Sequence, residues 1–382
     1  MQAAQPQPWQ ALGIPDFLHA LEISGGAVAG PADPYLVIPG NSGPRWFIPA
    51  GSRAASSVLS AWRPYSLTSR VKWLAIRMAA RAGILRFLPS VASLTIARAT
   101  ALCWSERCGL RTQAGEMVIL VGNPSPDRKL IVFLLDDAHR IAAVLKVGLT
   151  PGSRVSIFRE AEALRKLEPY CWAPDILSVH PDLGATAQEY VDGILPDLGL
   201  RPEYLDLLCR LPQSGASLQL SDAAQAIANR PGPWADEMRR VAPDLLQRCL
   251  ACCDRDAAIP TMLVHGDFAP WNIRKTSRSG YVLVDWEWTD FAGLPGYDLL
   301  HFQFSEDHLF GGNAGGYAAI RTRSICKEYC KRMDLDTELF PRLAILYLLD
   351  RVGYHFNNLD SVSGAYLLRE LRAVIDSPGL AS

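Results

Sequence analysis

Acidic residues are absent from a long stretch near the N-terminal end of the chain. Between Pro34 and Ser105 there is no aspartate or glutamate, although the chain of 382 residues has a formal net charge of −1. This stretch carries +9 and the remainder carries −10; its basic residues are Arg45, Arg53, Arg63, Arg70, Lys72, Arg77, Arg81, Arg86 and Arg98. The division predicts a charged surface, or an anionic partner, for the N-terminal region.

Long apolar runs are absent as well. No run approaches the roughly 18 residues of a membrane-spanning helix, and the longest candidate, at 130–135, ends at Asp136. The first residues, MQAAQPQPWQALGIPDF, lack the basic and then apolar pattern of a signal peptide. We therefore expect a cytoplasmic protein.

The cysteines show no pattern of a disulfide framework or of a zinc site. Their number, nine, is odd, no Cys-x-x-Cys pair is repeated, and no histidine lies nearby at zinc-ligand spacing. We expect reduced, mostly buried thiols on helices. With 49% apolar and 20% charged residues the composition is globular, and the length predicts two or three domains.

The N-terminal region predicts few elements. Residues 1–33, rich in proline, glycine and alanine, are expected to be loosely ordered. Apolar runs at 34–40 and 45–51 flank the turn-forming Asn-Ser-Gly-Pro and predict a hairpin. Residues 66–88 predict a helix with an arginine row (Arg70, Arg77, Arg81) beside an apolar face formed by Trp73, Ile76, Ala80, Ile84 and Phe87.

Strands dominate the next region and helices the last. Runs at 117–122, 130–135 and 141–147 predict an antiparallel meander, which a helix at 156–167 and a strand at 186–191 follow. Residues 201–256 predict helices with a break at 229–233. Buried strands are predicted at 262–265 and 281–284, and a flexible loop at 310–316 precedes helices over 317–376.

The chemistry-bearing residues lie at the ends of the two buried strands. The first strand delivers His265-Gly266-Asp267, Asn272 follows five residues after Asp267, and the second strand delivers Asp285. Carboxylate and carboxamide oxygens are ligands that Mg²⁺ accepts together with phosphate oxygens and water. Phosphoryl transfer needs such a cation and a carboxylate that orients the attacking hydroxyl. Turn-capping by Asp and Asn is the structural alternative.

These residues resemble the aminoglycoside phosphotransferase and choline kinase family, which has the protein-kinase-like fold. Gly-Tyr-Asp-Leu-Leu at 296–300 is also similar to that family, and the resemblance covers about 115–376. It implies an α+β, two-lobe fold: a basic N-terminal extension (1–110), a small antiparallel β lobe (111–195) and a mainly helical large lobe (196–382).

The resemblance also implies roles for residues of the motif. Asp267 would orient the substrate hydroxyl and accept its proton, and Asn272 and Asp285 would bind Mg²⁺. Glu287 would assist through a second metal or its waters. Two further residues would be structural: His265 would support the loop by hydrogen bonds, and Asp298 would tie the C-terminal helices to it.

The fold then requires a strand lysine held by a helix glutamate. Lys146 lies in an apolar strand, where an unpaired lysine is costly unless it extends from the strand end to water. Glu160 shares a helix face with Ile157 and Leu164, whereas basic residues surround Glu162 on the solvated face. We therefore expect a pair of Lys146 with Glu160.

The nucleotide contacts are less defined. The loop at 122–129 has one glycine, so Ser125 and Lys129 could contact phosphate or could belong to an ordinary turn. Backbone groups from Glu189 to Val191 would form the hinge that meets adenine, which is an inference from fold alone. The resemblance therefore implies ATP or GTP and Mg²⁺ as cofactors.

The predicted function is an ATP- and Mg²⁺-dependent kinase that phosphorylates a hydroxyl of a sugar, amino sugar, aminoglycoside or amino alcohol. Asp290, Glu306 and Asp307 could form an acidic aminoglycoside pocket, although a sugar-like alcohol is favoured. The alternative is a non-catalytic kinase-like protein that binds a nucleotide or a partner. The basic helix could pack on the small lobe, lie on an anionic membrane or meet a partner protein. Nucleic acid is not an expected partner.

Overall fold

A computed structural model describes residues 31–377 except 41–42, 51–53, 62, 88–90, 112–114, 124, 278–279, 312–315, 323 and 359. The chain forms two compact units. The first takes the described residues up to Pro196 together with Arg274–Glu287, and the second takes Asp197–Ile273 and the residues from Trp288 onward. The predicted boundary at residue 110 therefore falls inside the first unit.

The first unit is built on an eight-stranded antiparallel sheet within its described residues, in the order β3-β1-β2-β4-β5-β6-β8-β7. Its strands are β1 (Ala32–Gly40), β2 (Gly43–Pro49), β3 (Ala92–Ala97), β4 (Glu116–Val121), β5 (Lys129–Leu135), β6 (Ile141–Gly148), β7 (Ile176–His180) and β8 (Ala185–Glu189). The predicted hairpin and meander are confirmed, and the N-terminal strands extend the same sheet. Residues 1–30, predicted to be loosely ordered, lie outside the described residues, while β1 begins at Ala32.

Helices pack on both faces of this sheet because neighbouring residues of a strand point to opposite sides. The helices are α1 (Ala54–Ala61), α2 (Leu67–Arg81), α3 (Arg98–Arg107) and α4 (Pro151–Leu167), and short 3₁₀ turns span Leu85–Phe87 and Pro181–Leu183. On β4, Val118 belongs to the core that includes Trp73 of α2, whereas Ile119 belongs to the core that includes Trp104 of α3. Trp73 lies 5.6 Å from Trp46 between ring centroids.

Two helix boundaries differ from the sequence prediction. The helix predicted over 66–88 ends at Arg81, because Gly83 adopts a left-handed φ of 67° just beyond it. Ile84 and Phe87 are therefore exposed rather than part of its buried face. The helix predicted over 156–167 begins earlier, at Pro151, where Thr150 and Ser153 form a reciprocal capping box.

The second unit is mainly helical. Its helices are α5 (Glu203–Leu208), α6 (Leu220–Ala228), α7 (Trp234–Val241), α8 (Leu245–Cys253), α9 (Tyr297–Phe310), α10 (Gly316–Thr322), α11 (Ser324–Arg332), α12 (Phe340–Asn357) and α13 (Ser361–Ile375). A small antiparallel sheet joins β9 (Gln213–Gln219), β10 (Ala258–Val264) and β13 (Asp290–Gly293). The prediction of helices throughout 201–256 is wrong at β9, whose exposed polar residues hide its pairing with β10.

Several smaller features complete the description. The strands β11 (Ile273–Thr276) and β12 (Gly280–Leu283) form a ribbon, and a 3₁₀ turn spans Pro270–Asn272. The cysteines form no disulfide, and Cys249, Cys253, Cys326 and Cys330 are buried on helices. Within the described ranges, no helix has the length and apolar character needed to cross a membrane. The loop predicted at 310–316 falls largely on residues 312–315, outside the described residues.

Candidate active site

A buried lysine and glutamate form the centre of a charged cluster in the first unit. Lys146 on β6 is 4% exposed and Glu160 on α4 is 1% exposed. The Lys146 Nζ atom lies 2.7 Å from both carboxylate oxygens of Glu160, as the helix periodicity predicts. Glu162, by contrast, is an exposed residue that pairs with Lys166. Burial opposes the charged lysine, but Asp285, Glu160 and Glu287 outweigh it and raise the pKa of Lys146.

Asp285 joins this pair from the segment that follows β12. Its backbone has a φ of 69°, an uncommon left-handed conformation for a residue other than glycine. Its Oδ1 atom lies 2.7 Å from Lys146 Nζ and 3.3 Å from Lys129 Nζ. Burial raises the pKa of Asp285, but the two lysines outweigh it and hold the pKa well below its usual range. Asp285 is therefore a charged carboxylate at neutral pH.

Lys129 bridges Asp285 and Glu287. Lys129 is the first residue of β5, and its ammonium group also contacts the Glu287 carboxylate. Burial and the nearby charge of Asp285 raise the pKa of Glu287 to about 7, against the opposing effect of Lys129. Two carboxylates thus converge on the Lys129 ammonium group. The position between these carboxylates also suits a divalent cation.

The metal ligands that this cluster can offer are oxygen atoms. In the described ranges, no group of three or more histidine, cysteine, aspartate or glutamate side chains is arranged to hold a metal ion. A cation here would rely on the carboxylates of Asp285 and Glu287 together with phosphate oxygens and water, as Mg²⁺ commonly does. The donor set therefore fits Mg²⁺ bound with a nucleotide and does not fit a closed protein cage.

Three predicted nucleotide contacts lie apart from this cluster. Ser125 is exposed in the turn between β4 and β5, where its carbonyl accepts a hydrogen bond from the Arg128 amide at 3.1 Å. Glu189 ends β8 and Val191 follows it. No hydrogen bond or ion pair joins Ser125, Glu189 or Val191 to the lysine–carboxylate cluster in the described part of the unit.

In the second unit, β10 leads into the loop that carries Asp267. Gly266 has a φ of 82°, and a Cβ atom there would collide with the carbonyl oxygen of Trp288. Asp298, at the start of α9, accepts hydrogen bonds from the amides of His265 at 2.8 Å and Gly266 at 2.9 Å. Burial, with a contribution from the charge of Asp267, raises the pKa of Asp298 to about 6. The tie between loop and helix agrees with the role predicted for Asp298.

Both oxygens of the Asp267 carboxylate accept hydrogen bonds. Asn272 donates from Nδ2 to one oxygen at 2.8 Å and to the Asp267 carbonyl at 2.9 Å. The His301 Nε2 atom lies 2.9 Å from the other oxygen. The amide of Asp267 donates to the His265 ring at 3.2 Å, so the buried His265 supports the loop. An Asn272 side chain held in this way offers its carboxamide oxygen as a ligand for a cation.

His301 is a site residue that the sequence analysis missed. It lies on α9, one turn after Asp298, and its Nδ1 atom is 3.0 Å from the Tyr347 hydroxyl. Burial lowers the pKa of His301, so the ring is neutral, donates to Asp267 from Nε2 and accepts from Tyr347. The signal for His301 in the sequence was its position three residues after Asp298, because residues at this spacing are neighbours on one face of a helix.

A cavity of about 280 Å³ opens beside Asp267 within the second unit. Arg351, also missed from sequence, lines it, contacts the Gly266 carbonyl and lies over the rings of Trp288 and Tyr347. The other lining side chains are mostly aromatic or imidazole, and they include Trp271, Phe304, His308, Tyr354, His355 and Tyr366.

Residues 130–322 match the model of a family described as the phosphotransferase enzyme family, APH. This chain belongs to the APH phosphotransferase family. The matched segment includes Lys146, Glu160, Asp267, Asn272 and Asp285. The predictions of a phosphotransferase and of an α+β fold, with an antiparallel sheet in one unit and mainly helices in the other, are confirmed.

Solved structures of kinases resemble this phosphotransferase at low sequence identity. Choline kinase LicA from Streptococcus pneumoniae is 15% identical, with a TM-score of 0.46, over 72% of this chain and 96% of that chain. A thermostable mutant of aminoglycoside phosphotransferase APH(4)-Ia, in ternary complex with ADP and hygromycin B, is 15% identical, with a TM-score of 0.45, over 72% of this chain and 99% of that chain. A macrolide 2'-phosphotransferase type I is 16% identical, with a TM-score of 0.44, over 72% and 96%. No curated protein sequence gives a significant match.

Proposed function

We propose that this phosphotransferase transfers the terminal phosphoryl group of ATP or GTP to a hydroxyl group of a small molecule. The observation that carries the proposal is the buried network in which Lys146 contacts Glu160 and Asp285. A lysine held in this way is a fixed positive charge for the α- and β-phosphates of a nucleotide. Bound Mg²⁺ would neutralise phosphate charge, and Asp285, Glu287 and Asn272 are the side chains proposed to hold it.

Asp267 is proposed as the residue that activates the acceptor. Asn272 and His301 fix its two oxygens, so the carboxylate has one orientation in which to accept a further hydrogen bond. The acceptor oxygen would bond to the terminal phosphorus as the bond from that phosphorus to the nucleoside diphosphate breaks. The hydroxyl proton would pass to Asp267.

The nucleotide contacts beyond the charged cluster remain part of the proposal. Backbone groups from Glu189 to Val191 are proposed to meet the base, and the turn that contains Ser125 is proposed to cover the phosphates. Lys129 reaches the Asp285 and Glu287 carboxylates and would share its charge with a bound phosphate. The backbone reads a purine through its own donors and acceptors, so ATP and GTP both satisfy the proposal.

The acceptor is proposed to be a neutral or anionic alcohol, such as a sugar, rather than a polyamine such as an aminoglycoside. Asp267 is the carboxylate among the described residues that line the cavity, and Arg351 adds a positive charge there. The three acidic residues considered from sequence are not among those that line the cavity. Asp307 accepts from the Tyr366 hydroxyl at 2.7 Å, Glu306 accepts from the Gly199 amide, and Asp290 accepts from the Ala292 amide at 2.9 Å.

The proposal is tested by nucleotide consumption with three acceptor panels: sugars, amino alcohols and aminoglycosides. We expect turnover with a neutral hydroxyl compound, because aromatic walls with few charges suit a sugar ring. Faster turnover of aminoglycosides would contradict the proposed acceptor class while leaving the kinase proposal standing. Binding of Mg-ATP without turnover in any panel would favour the non-catalytic alternative.

A further inference from the structure

Helix α2 carries two apolar faces, and the sheet covers one of them. Trp73 is 6% exposed and packs on the core of the first unit, with Ile76 and Ala80 partly buried beside it. This is the face predicted from sequence, and it is not available to a partner. Leu67, Val71, Leu74 and Met78 lie on the other side of the helix and are 76%, 62%, 58% and 58% exposed.

These four residues form a continuous row, here called the outer stripe. Their spacing of four, three and four residues places them on one helix face over roughly 16 Å, at 1.5 Å per residue. Ile84 and Phe87 are exposed just beyond the helix, where buried Leu85 holds the 3₁₀ turn to the core. Isolated exposed apolar residues are ordinary, whereas a row at helical spacing marks a contact surface.

Basic residues flank the outer stripe. Arg70, Arg77 and Arg81 follow one edge of the stripe, and the exposed Lys72 lies farther around the helix, about 100° beyond Val71. Hydrogen bonds position two of the arginines, from Arg77 to Ser60 at 3.0 Å and from Arg81 to Ser56 at 3.2 Å. No acidic residue occurs from Pro34 to Ser105, so no carboxylate in this sequence stretch competes for these cations.

We propose that the outer stripe and its flanking cations dock the protein on an anionic membrane surface. An interfacial helix inserts its apolar row into the headgroup boundary and sets lysine and arginine against lipid phosphates. A second copy fits this face poorly in an antiparallel helix pair, because the two-fold axis of that pair brings the two arginine rows together. The proposal is independent of the acceptor and of the kinase activity.

Co-sedimentation of the full chain tests the proposal, using phosphatidylcholine vesicles with and without phosphatidylserine. We expect binding only to the anionic vesicles, and weaker binding as salt is added. The double variant V71D/L74D should lose about tenfold or more of this binding, because two apolar side chains no longer enter the lipid. Val362→Asp is the matched control, since Val362 is 73% exposed on a helix of the second unit.

Four results would overturn the proposal. They are absence of binding by the full chain, equal binding to neutral and anionic vesicles, unchanged binding by V71D/L74D, and equal loss in Val362→Asp. If only a chain without residues 1–30 binds, that segment occupies the stripe in the full protein. If V71D/L74D instead converts a dimer to a monomer in light scattering, a second copy of the chain occupies the stripe. Unchanged unfolding midpoints of the variants show that any loss reflects the surface and not the fold.

Discussion

His301 holds the Asp267 carboxylate from α9, with Nε2 2.9 Å from one carboxylate oxygen although the two residues are 34 positions apart. The Tyr347 hydroxyl contacts the other ring nitrogen, which fixes the neutral tautomer that donates to Asp267. His301 is therefore a positioning residue for the proposed base. In this role the ring acts through the Asp267 carboxylate.

The first prediction concerns this contact. In His301→Ala, kcat should fall by roughly 10-fold to 100-fold, because the carboxylate loses one of its two orienting donors. His301→Gln, which can donate from an amide, should recover part of the loss. Steady-state kinetics of both variants measure the effect, and the KM for nucleotide should stay unchanged.

The pH profile separates positioning from a general loss of structure. Burial lowers the pKa of His301 below its ordinary value of 6.5, so the ring stays neutral as the pH falls through that value. The wild-type kcat should therefore show no loss from His301 near pH 6.5. A wild-type loss centred there that disappears in His301→Gln would contradict the assigned neutral state.

The second prediction concerns the buried ion network. Lys146→Met leaves the carboxylates of Glu160 and Asp285 close together without their shared ammonium group, and breaking such a buried pair costs about 3–5 kcal/mol. The free energy of unfolding should fall accordingly, and nucleotide affinity should be lost. Denaturant unfolding and nucleotide titration measure the two effects.

The exposed pair of Glu162 and Lys166, on the same helix as Glu160, provides the control for this variant. Glu162→Gln should change neither stability nor nucleotide affinity measurably, because surface pairs contribute little. Equal destabilisation by Lys146→Met and Glu162→Gln would contradict the importance assigned to the buried network.

The third prediction concerns Lys129 as a cation that two carboxylates share. In Lys129→Ala, the Asp285 and Glu287 carboxylates lose this ammonium group, so an added divalent cation gains a more favourable position. Mg²⁺ should raise the Tm of Lys129→Ala by more than it raises the Tm of the wild type. An equal response of both proteins to Mg²⁺ would show that the two carboxylates do not form a cation position.

The fourth prediction concerns the turn before Asp267. Gly266→Ala and Gly311→Ala both place a side chain at positive φ, at 82° and 56°, which costs roughly 1–2 kcal/mol. At Gly266 the added Cβ also collides with the Trp288 carbonyl, whereas no atom of the described residues lies within 4 Å of a Cβ at Gly311. Gly266→Ala should therefore lose more stability and also lose kcat. Equal unfolding midpoints for the two variants would contradict the close approach.

The fifth prediction is a pH dependence of stability. The pKa of the buried Asp298 is raised to about 6 from 3.8, so the folded state favours the protonated form. Its stabilising contribution is complete below pH 3.8 and is lost as the pH rises from 3.8 to about 6, by on the order of 3 kcal/mol. Asp298→Asn should remove this dependence in the range between these two pKa values, as measured by urea unfolding. An identical slope in variant and wild type would contradict the raised pKa.

The sequence predicted the parts of the site that depend on local periodicity. The family resemblance implied a pair of a strand lysine and a helix glutamate, and the helix period selected Glu160 as the partner of Lys146; the structure joins them at 2.7 Å. The end of α2 could also have been predicted from the sequence, because glycine, here Gly83, is common just after the end of a helix. The strand β9 was not, since Gln213–Gln219 has no apolar alternation and its pairing with β10 depends on hydrogen bonds.

The remaining site residues depend on packing between distant elements. His301 and Arg351 contact the Asp267 loop because α9 and α12 pack around it. Neither helix has a sequence motif that predicts these contacts. Helix α2 gives a mixed result. The face that contains Trp73 was predicted from the sequence and packs against Trp46, whereas the outer stripe on the other side of the helix was missed.

The central claim is that Asp267 activates a hydroxyl for phosphoryl transfer. Its most direct test is mass spectrometry of the acceptor after incubation with Mg-ATP, for the wild type and for Asp267→Asn. We expect a phosphorylated acceptor from the wild type, a loss of about 10²-fold or more in Asp267→Asn, and nucleotide binding retained by both. Equal amounts of phosphorylated acceptor from the two proteins would contradict the claim.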